Sequence, residues 1–481
     1  MNIKAVLNTL GKISLVEGLL LILPLTVSFI YGELIAVTSF ATTIAVAALT
    51  GVLLILITKR HNHVIYAKEG FAIVAGVWIL ISVIGALPFK ISGAIPSFID
   101  SLFETVSGFT TTGASILKNI EALPRGILFW RSFTHFIGGM GFLVFVMAII
   151  PNVTDRSIHI LKAEVPGPAV GKLVPRIKDT AKILYLIYIA ITLLEIILLI
   201  CGGMPVFDSV VHSFGTAGTG GFGIKSDSIA SYSPYCQWVI GVFMLLFGVN
   251  FNIYYLLLIK KFKDVVKSSE LWGYISIMLT STALVTVSNI GLFEKFSLSL
   301  RHSFFQVSSI MTTTGFATTD FDRWKGIGKP ILLILMIIGA CAGSTGGGLK
   351  VSRVIILFKT ISREIKRLLH PRAVNSIHFE GKKLDENTVG GVSHYFTIYA
   401  ICFVAAFLLI SFEPFGIETN LSATAACFNN IGPGFGAVGP TMNYSAYTDF
   451  SKIVLALAML LGRLEIFPII IAFSPAVLKN D

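Results

Sequence analysis

The chain of 481 residues is 54% hydrophobic and only 13% charged, with a mean hydropathy of +0.82, more apolar surface than a soluble core can hide. Its net charge of +11 lies in basic clusters between apolar runs rather than along one helix face, which speaks for loop charge and against a nucleic-acid surface. The five cysteines (Cys201, Cys236, Cys341, Cys402, Cys427) are scattered, with no paired spacing of a metal site or disulfide framework, and read as small packing residues.

A spanning helix needs about 20 mostly apolar residues, and ten such segments can be placed: near 8–31, 35–58, 70–89, 127–150, 183–202, 236–259, 271–291, 330–358, 391–411 and 452–474. The first runs into Tyr31, Gly32 and Glu33 rather than a small-residue cleavage site, so it is expected to stay in the membrane. Both termini then share one side. On that side fall Lys59, Arg60 and Lys68, the basic residues of 156–182, those of 260–267 and those of 350–383. The opposite side holds Lys90, Lys118, Arg125, Arg131, Lys225 and a group within 295–329, and none between 412 and 451. By the positive-inside rule the termini are cytoplasmic, although the third outer loop weakens the asymmetry.

Between the outer ends of successive helix pairs lie four segments too polar and glycine-rich to span, yet too apolar for exposed loops. Residues 101–113 read SLFETVSGFTTTG and residues 303–315 read SFFQVSSIMTTTG, sharing Phe103 with Phe305, Ser107 with Ser309 and a terminal Thr-Thr-Thr-Gly. Residues 208–220, DSVVHSFGTAGTG, set Gly215 opposite Gly108 and Thr219-Gly220 opposite Thr112-Gly113. Residues 427–432, CFNNIG, are the most divergent, with Phe428 matching Phe109. The expected architecture is an all-α polytopic membrane protein of ten transmembrane helices. Two extra N-terminal helices (1–60) precede four helix, pore loop and helix repeats around one pore: 61–155, 156–265, 266–370 with an interrupted second helix, and 371–481.

Irregular backbone is tolerated at membrane depth only where protein buries it or a water-filled cavity receives it. Four similar loops converging on one axis meet that condition. A Thr-Thr-Thr-Gly strand presents successive carbonyl oxygens that can replace the hydration shell of a monovalent cation, and glycine supplies the backbone freedom such a strand needs. Glu104 and Asp320 stand near the first and third loops, either as outer-face charges that concentrate cations or as solvated rim charges. A Gly/Thr cluster is otherwise a close-packing surface, but four copies at like positions argue against packing alone. A carrier built on inverted repeats fits less well, because every loop returns to the same face.

Other polar residues carry less. The run 339–348, GACAGSTGGG, interrupts an apolar stretch, and consecutive glycines destabilise a helix interior, so a break is expected there. Arg463 in the last apolar helix needs a partner or a wet cavity, and Glu465, two residues on, does not share its helix face. His135 and His212 read as hydrogen-bonded packing residues, and Glu17 and Glu195 as bonding to neighbouring helices. No Walker loop, zinc pattern or nucleophile elbow occurs, so an enzyme is not expected.

These residues resemble the Trk/Ktr/HKT superfamily of potassium transporters, most closely its TrkH/TrkG branch. The likeness extends over nearly the whole chain and is most specific at 111–115 (TTGAS), 216–222 (TAGTGGF), 312–316 (TTTGF), 343–350 (GSTGGGLK) and 430–436 (NIGPGFG). Two helices precede the first repeat, as in TrkH and unlike the shorter KtrB chains. The resemblance implies a selectivity filter that binds potassium at Thr111, Thr112, Gly113, Gly218, Thr219, Gly220, Thr313, Thr314, Gly315, Asn430, Ile431 and Gly432. In that family, glycine at Gly113, Gly220, Gly315 and Gly432 implies preference for potassium over sodium, while Asn430-Ile431 departs from the Thr-x-Gly pattern.

Below the filter the resemblance implies an intramembrane gating loop at Gly343, Ser344, Thr345, Gly346, Gly347 and Gly348, with Arg463 projecting into the pore; the alternatives are a tightly packed helix crossing for the loop and a structural ion pair for Arg463. It further implies a gated potassium uptake subunit in the bacterial cytoplasmic membrane, a homodimer in the lipid bilayer, and a cytoplasmic nucleotide-binding regulatory ring of the TrkA type. The basic cytoplasmic segments, particularly 359–383, would suit an acidic partner. No organic cofactor and no nucleic acid are implied. Coupled symport driven by protons or sodium remains the alternative to channel-like flux.

Overall fold

The computed structural model describes residues 1–58, 67–141, 177–372 and 375–474. Lys59, Arg60, the stretch 156–176 and the second half of the expected span 127–150 lie outside the described residues. The fold is helical, apart from one two-stranded hairpin among the described residues.

The N-terminal helices α1 (Ile3–Leu20), α2 (Ile22–Ile30) and α3 (Leu34–Thr58) form an antiparallel unit. α1 and α3 cross at a pair of glycines so close that a Cβ on Gly11 would lie 2.9 Å from the Gly51 carbonyl, as small residues allow in lipid. Two buried side chains tie the same crossing: Asn8 donates to Thr58 Oγ1 (2.8 Å) and Ser14 to the Ala47 carbonyl (2.7 Å). The α2–α3 turn docks onto the first repeat, since Glu33 accepts the amides of Arg125 (2.5 Å) and Gly126 (2.9 Å) at the start of another helix, where the orphan N–H groups of a helix N-terminus favour a carboxylate.

Then a four-part pattern runs along the chain. Each part begins with a long apolar helix: α4 (Ala67–Ile91), α7 (Ile177–Cys201), α12 (Ser269–Ser288) and α16 (Glu386–Ile410). Each continues with a shorter helix, α5 (Phe98–Phe109), α8 (Val206–Gly218), α13 (Phe296–Met311) and α17 (Ile417–Phe428), that ends inside the protein. The four long helices, with α1–α2 and α3, are the described segments long and apolar enough to cross a membrane unbroken.

The returning helices differ from expectation. Sequence suggested one break, yet every returning helix that is described past its midpoint is broken, so the expected spans 236–259, 330–358 and 452–474 are each two helices. In the second part α9 (Pro234–Gly248) bends by 89° into α10 (Phe251–Leu258), and the short α11 (Phe262–Val266) comes next. In the third, α14 (Gly328–Ile338) stops at Gly339 and α15 (Val351–Leu369) resumes after twelve irregular residues. In the fourth, α18 (Asp449–Arg463) gives way at Glu465 and Ile466, both at positive φ (55° and 65°), before α19 (Phe467–Ala472) with Pro468 in its first turn. In the first, α6 (Arg125–Gly139) ends before Met140, with Gly141 at φ 80°. A strand pair, β1 (His378–Phe379) and β2 (Lys382–Lys383), joins the third part to the fourth.

Candidate functional site

The short helices α5, α8, α13 and α17 are each followed by the same backbone figure. Thr111, Thr219, Thr313 and Asn430 take left-handed φ values of 56°, 54°, 60° and 56°. The next amide in each chain reaches back to the carbonyl five residues earlier at 2.8 Å: Thr112 to Ser107, Gly220 to Gly215, Thr314 to Ser309 and Ile431 to Ala426. The glycine after that is again at positive φ: Gly113 (78°), Gly221 (71°), Gly315 (86°) and Gly432 (98°). Positive φ at a threonine is a genuine conformational outlier that costs about 1–3 kcal/mol and persists only where its surroundings impose it.

This figure corrects the sequence alignment of the second loop by one residue. Gly221, not Gly220, is the counterpart of Gly113, and Gly215 stands opposite Ser107 rather than Gly108. The equivalent triads are therefore 111–113, 219–221, 313–315 and 430–432, and Gly218 belongs to the end of α8 instead. Asn430 and Ile431, the expected departures, follow the backbone path of the threonines they replace.

The four glycines face one another in a closed cycle. A Cβ added to Gly113 would lie 2.0 Å from the Gly220 carbonyl oxygen, on Gly221 1.9 Å from that of Thr314, on Gly315 2.0 Å from that of Ile431, and on Gly432 2.7 Å from that of Thr112. Each glycine thus abuts the carbonyl preceding the glycine of the next strand, and the fourth returns to the first. All four also line one cavity of about 120 Å³. Even alanine would collide with a neighbouring carbonyl at these positions.

Cross-strand contacts hold the cycle. His135 faces the Gly108 carbonyl with Nδ1 (2.7 Å) and the Phe222 amide with Nε2 (3.2 Å), which fits a neutral ring with Nδ1–H donating and Nε2 accepting. Both nitrogens are used in joining the first and second strands. Ile229 donates to the Ala317 carbonyl (3.0 Å) between the second and third, while Tyr444 donates its amide to Ser115 (2.8 Å) and its hydroxyl to Gly432 (2.7 Å) between the fourth and first. Asn430 Nδ2 reaches Thr112 Oγ1 at 2.9 Å and the Met459 carbonyl at 3.0 Å.

Glu104 is neither an outer-face attractor nor a rim charge. It is fully buried and paired with Arg131 at 2.6 Å, itself 2% exposed. Its two oxygens accept from the Ser115 hydroxyl (2.9 Å) and the Ile116 amide (3.0 Å), and Arg131 donates to the Gly223 carbonyl (2.7 Å) while lying over Phe222. The pair braces the first and second strands beyond their glycines. Asp320 does lie near the surface, bonded to Arg323 at 3.0 Å. His212 packs on Tyr232, with Nε2 3.2 Å from its hydroxyl. Glu17 is buried and its carboxylate has no hydrogen-bond partner among the described residues.

On the other side of the strands lies the interruption between α14 and α15. The Gly347 amide donates to Thr313 Oγ1 (2.6 Å), and a Cβ on Gly346 or Gly347 would meet the carbonyls of Thr312 or Asn429 at 2.8 and 2.3 Å. Arg463 donates to the carbonyls of Thr345 (2.8 Å), Gly138 (2.5 Å) and Gly139 (2.6 Å), bridging this loop to the end of α6. Glu465 pairs with Arg353 through two contacts, 3.0 and 2.6 Å. A second cavity of about 100 Å³ is bounded by Gly139, Gly343, Gly346, Gly347, Lys350 and Arg463 among others. Sequence pointed to the loop and to Arg463. It gave no sign that the loop touches Thr313 or that Arg463 reaches the first repeat.

The sequence model of one family, TrkH, described as a cation transport protein, matches residues 36–287 and 265–478. The chain belongs to the TrkH family. It is 36% identical to the Trk system potassium uptake protein TrkH of Salmonella typhimurium over 99% of both chains. It is 38% identical to the Trk system potassium uptake protein TrkG of Escherichia coli K12 over 87% of both. The crystal structure of the potassium transporter TrkH from Vibrio parahaemolyticus superposes with a TM-score of 0.90 at 32% identity, covering 100% of each chain. The TrkH family is one of transport, in keeping with the absence of enzyme motifs from the sequence.

Neutralising one member of the buried pair should destabilise this fold. Glu104→Gln strands Arg131 without a countercharge and is expected to cost about 3–5 kcal/mol, read as a lowered thermal midpoint in detergent. Glu104→Gln combined with Arg131→Met should recover part of that loss, and a double variant no better than the single one would contradict the assignment.

Proposed function

We propose that this protein takes up potassium across the bacterial cytoplasmic membrane as a gated, channel-like ion-conducting subunit with both termini in the cytoplasm. The observation that carries this reading is the closed cycle of Gly113, Gly221, Gly315 and Gly432, each against the next strand's carbonyl and all on one cavity. Converging carbonyl dipoles replace the water that a dehydrating cation gives up. Thr111, Thr112, Thr219, Gly220, Thr313, Thr314, Asn430 and Ile431 complete the proposed filter. The names of the relatives as potassium uptake proteins supply the ion.

Below the filter, the loop 343–348 lies against the filter backbone, and Arg463 adds positive charge beside it. In this reading the two form the gate, and opening requires the loop to leave its contacts with Thr313 and Arg463. The residues bounding the outer cavity include Lys118, Arg131 and Lys225 but no carboxylate, and the acid of the inner cavity, Glu465, is engaged by Arg353. Among the described residues bounding the two cavities, Glu465 is therefore the one carboxylate, and its pairing with Arg353 supports downhill flux over proton-coupled symport. A homodimeric membrane unit and a cytoplasmic nucleotide-binding partner of the TrkA type, drawn to the basic residues of 359–383, complete the proposal.

Two measurements test it. Reversal potentials of the protein in a planar bilayer should follow the potassium gradient alone, whereas a shift with pH or with sodium would establish coupling. Gly113→Ser and Gly221→Ser should each lower potassium-over-sodium selectivity, because both put a Cβ into the same position of the cycle. Undiminished selectivity in both would remove the filter assignment.

A further inference from the structure

A chain of polar contacts leads away from the proposed gate to a surface hairpin. β1 and β2 pair with His378 opposite Lys383 and Phe379 opposite Lys382, leaving Glu380 and Gly381 as the turn. Both have positive φ, 49° and 70°, as a two-residue type I′ turn requires. The turn sets the exposed Glu380 against the start of α12. Its Oε1 accepts from the Glu270 amide at 2.9 Å and from the hydroxyls of Ser268 and Ser269 at 3.2 Å each, and the Glu380 amide donates to Ser269 Oγ at 3.3 Å. A carboxylate is favoured there by the unpaired amides and positive end of the helix.

Glu270, the residue whose amide Glu380 holds, carries its own carboxylate inward. Buried, it accepts the Ala342 amide at 2.7 Å and the Ser352 amide at 3.2 Å with the same oxygen. Those two residues flank the 343–348 loop on either side. Asn250, at the break between α9 and α10, reaches the other oxygen at 3.5 Å, and the next amide, Phe251, donates to the Gly343 carbonyl at 3.0 Å. One side chain therefore fastens both stems of the loop, and its own position is set from the surface.

We propose that Glu270 is the staple that keeps the intramembrane loop under the filter and that Glu380 is its surface latch, so that displacing the 378–383 hairpin loosens the loop and opens the path. This rests on the gate reading above. Glu270 and Glu380 are positioning residues; neither touches the ion. The hairpin is where a cytoplasmic regulator would act on the gate without entering the membrane.

Glu380 is exposed, so its substitution leaves the buried staple chemically intact. Basal potassium flux into proteoliposomes, without any partner, is compared for the unaltered chain, Glu380→Ala, a deletion of residues 343–348, and the two changes together. Glu380→Ala is expected to raise flux about fivefold, the factor carried by one net hydrogen bond. It should add nothing in the deletion background, where no loop remains to be held. Glu380→Gln, which retains an acceptor oxygen, should restore most of the closed behaviour. Raised flux in the deletion with no effect of Glu380→Ala would overturn the latch and leave the gate standing. No rise in the deletion would overturn the gate reading itself. An equal Glu380→Ala increase with and without the loop, or a Glu380→Gln flux as high as that of Glu380→Ala, would also reject the latch.

Discussion

Close contact between a glycine and the carbonyl of the neighbouring strand, repeated four times around a ring, is the constraint on which the rest of this structure depends. There is no room for a side chain at Gly113, Gly221, Gly315 or Gly432, and without one the backbone must be shaped by its surroundings. The surroundings do so by forcing three threonines and an asparagine into left-handed conformations, each costly in isolation. His135, the Glu104–Arg131 pair and Tyr444 supply the cross-strand bonds that make those conformations the stable ones. In the membrane interior such bonds are not optional, because an unpaired backbone amide or carbonyl there has no water to turn to.

The same requirement explains why the returning helices break. A continuous helix satisfies its own backbone but offers nothing to its neighbours. At Gly248–Asn250 and Gly339–Lys350 the released amides and carbonyls bond to one another across parts of the molecule, as between Cys341 and Gly248 and between Phe251 and Gly343. At the fourth break Glu465 turns away from Arg463 and takes Arg353, leaving the Arg463 guanidinium to the carbonyls of Thr345, Gly138 and Gly139. The breaks thus convert helix ends into the polar lining of the space below the strands.

Much of this was legible in the sequence. Hydropathy and length identify the membrane class and the long helices, and the recurring Thr-Gly segments mark the places where chain enters without crossing. The one-residue slip in the second loop has a specific cause: 218–221 reads GTGG, so matching Thr219-Gly220 to Thr112-Gly113 satisfies identity, and the true register emerges from the left-handed Thr219, the positive φ of Gly221 and the bond from Gly220 to the Gly215 carbonyl. The breaks at Gly248 and Glu465 were hidden because they leave the apolar run almost intact; the third was visible because its glycines are consecutive. Glu104 misled because its partner, Arg131, comes from another helix, and a lone acid near a polar loop reads as solvated until that helix is placed.

The carbonyls of Thr112, Gly220, Thr314 and Ile431 are proposed to surround one axial site for a dehydrated monovalent cation. Anomalous diffraction from crystals grown in rubidium or thallium tests that site most directly. An anomalous peak is expected on the axis at the level of those four oxygens, lost when sodium replaces the heavier ion. A peak found only elsewhere, or none on the axis, would refute it.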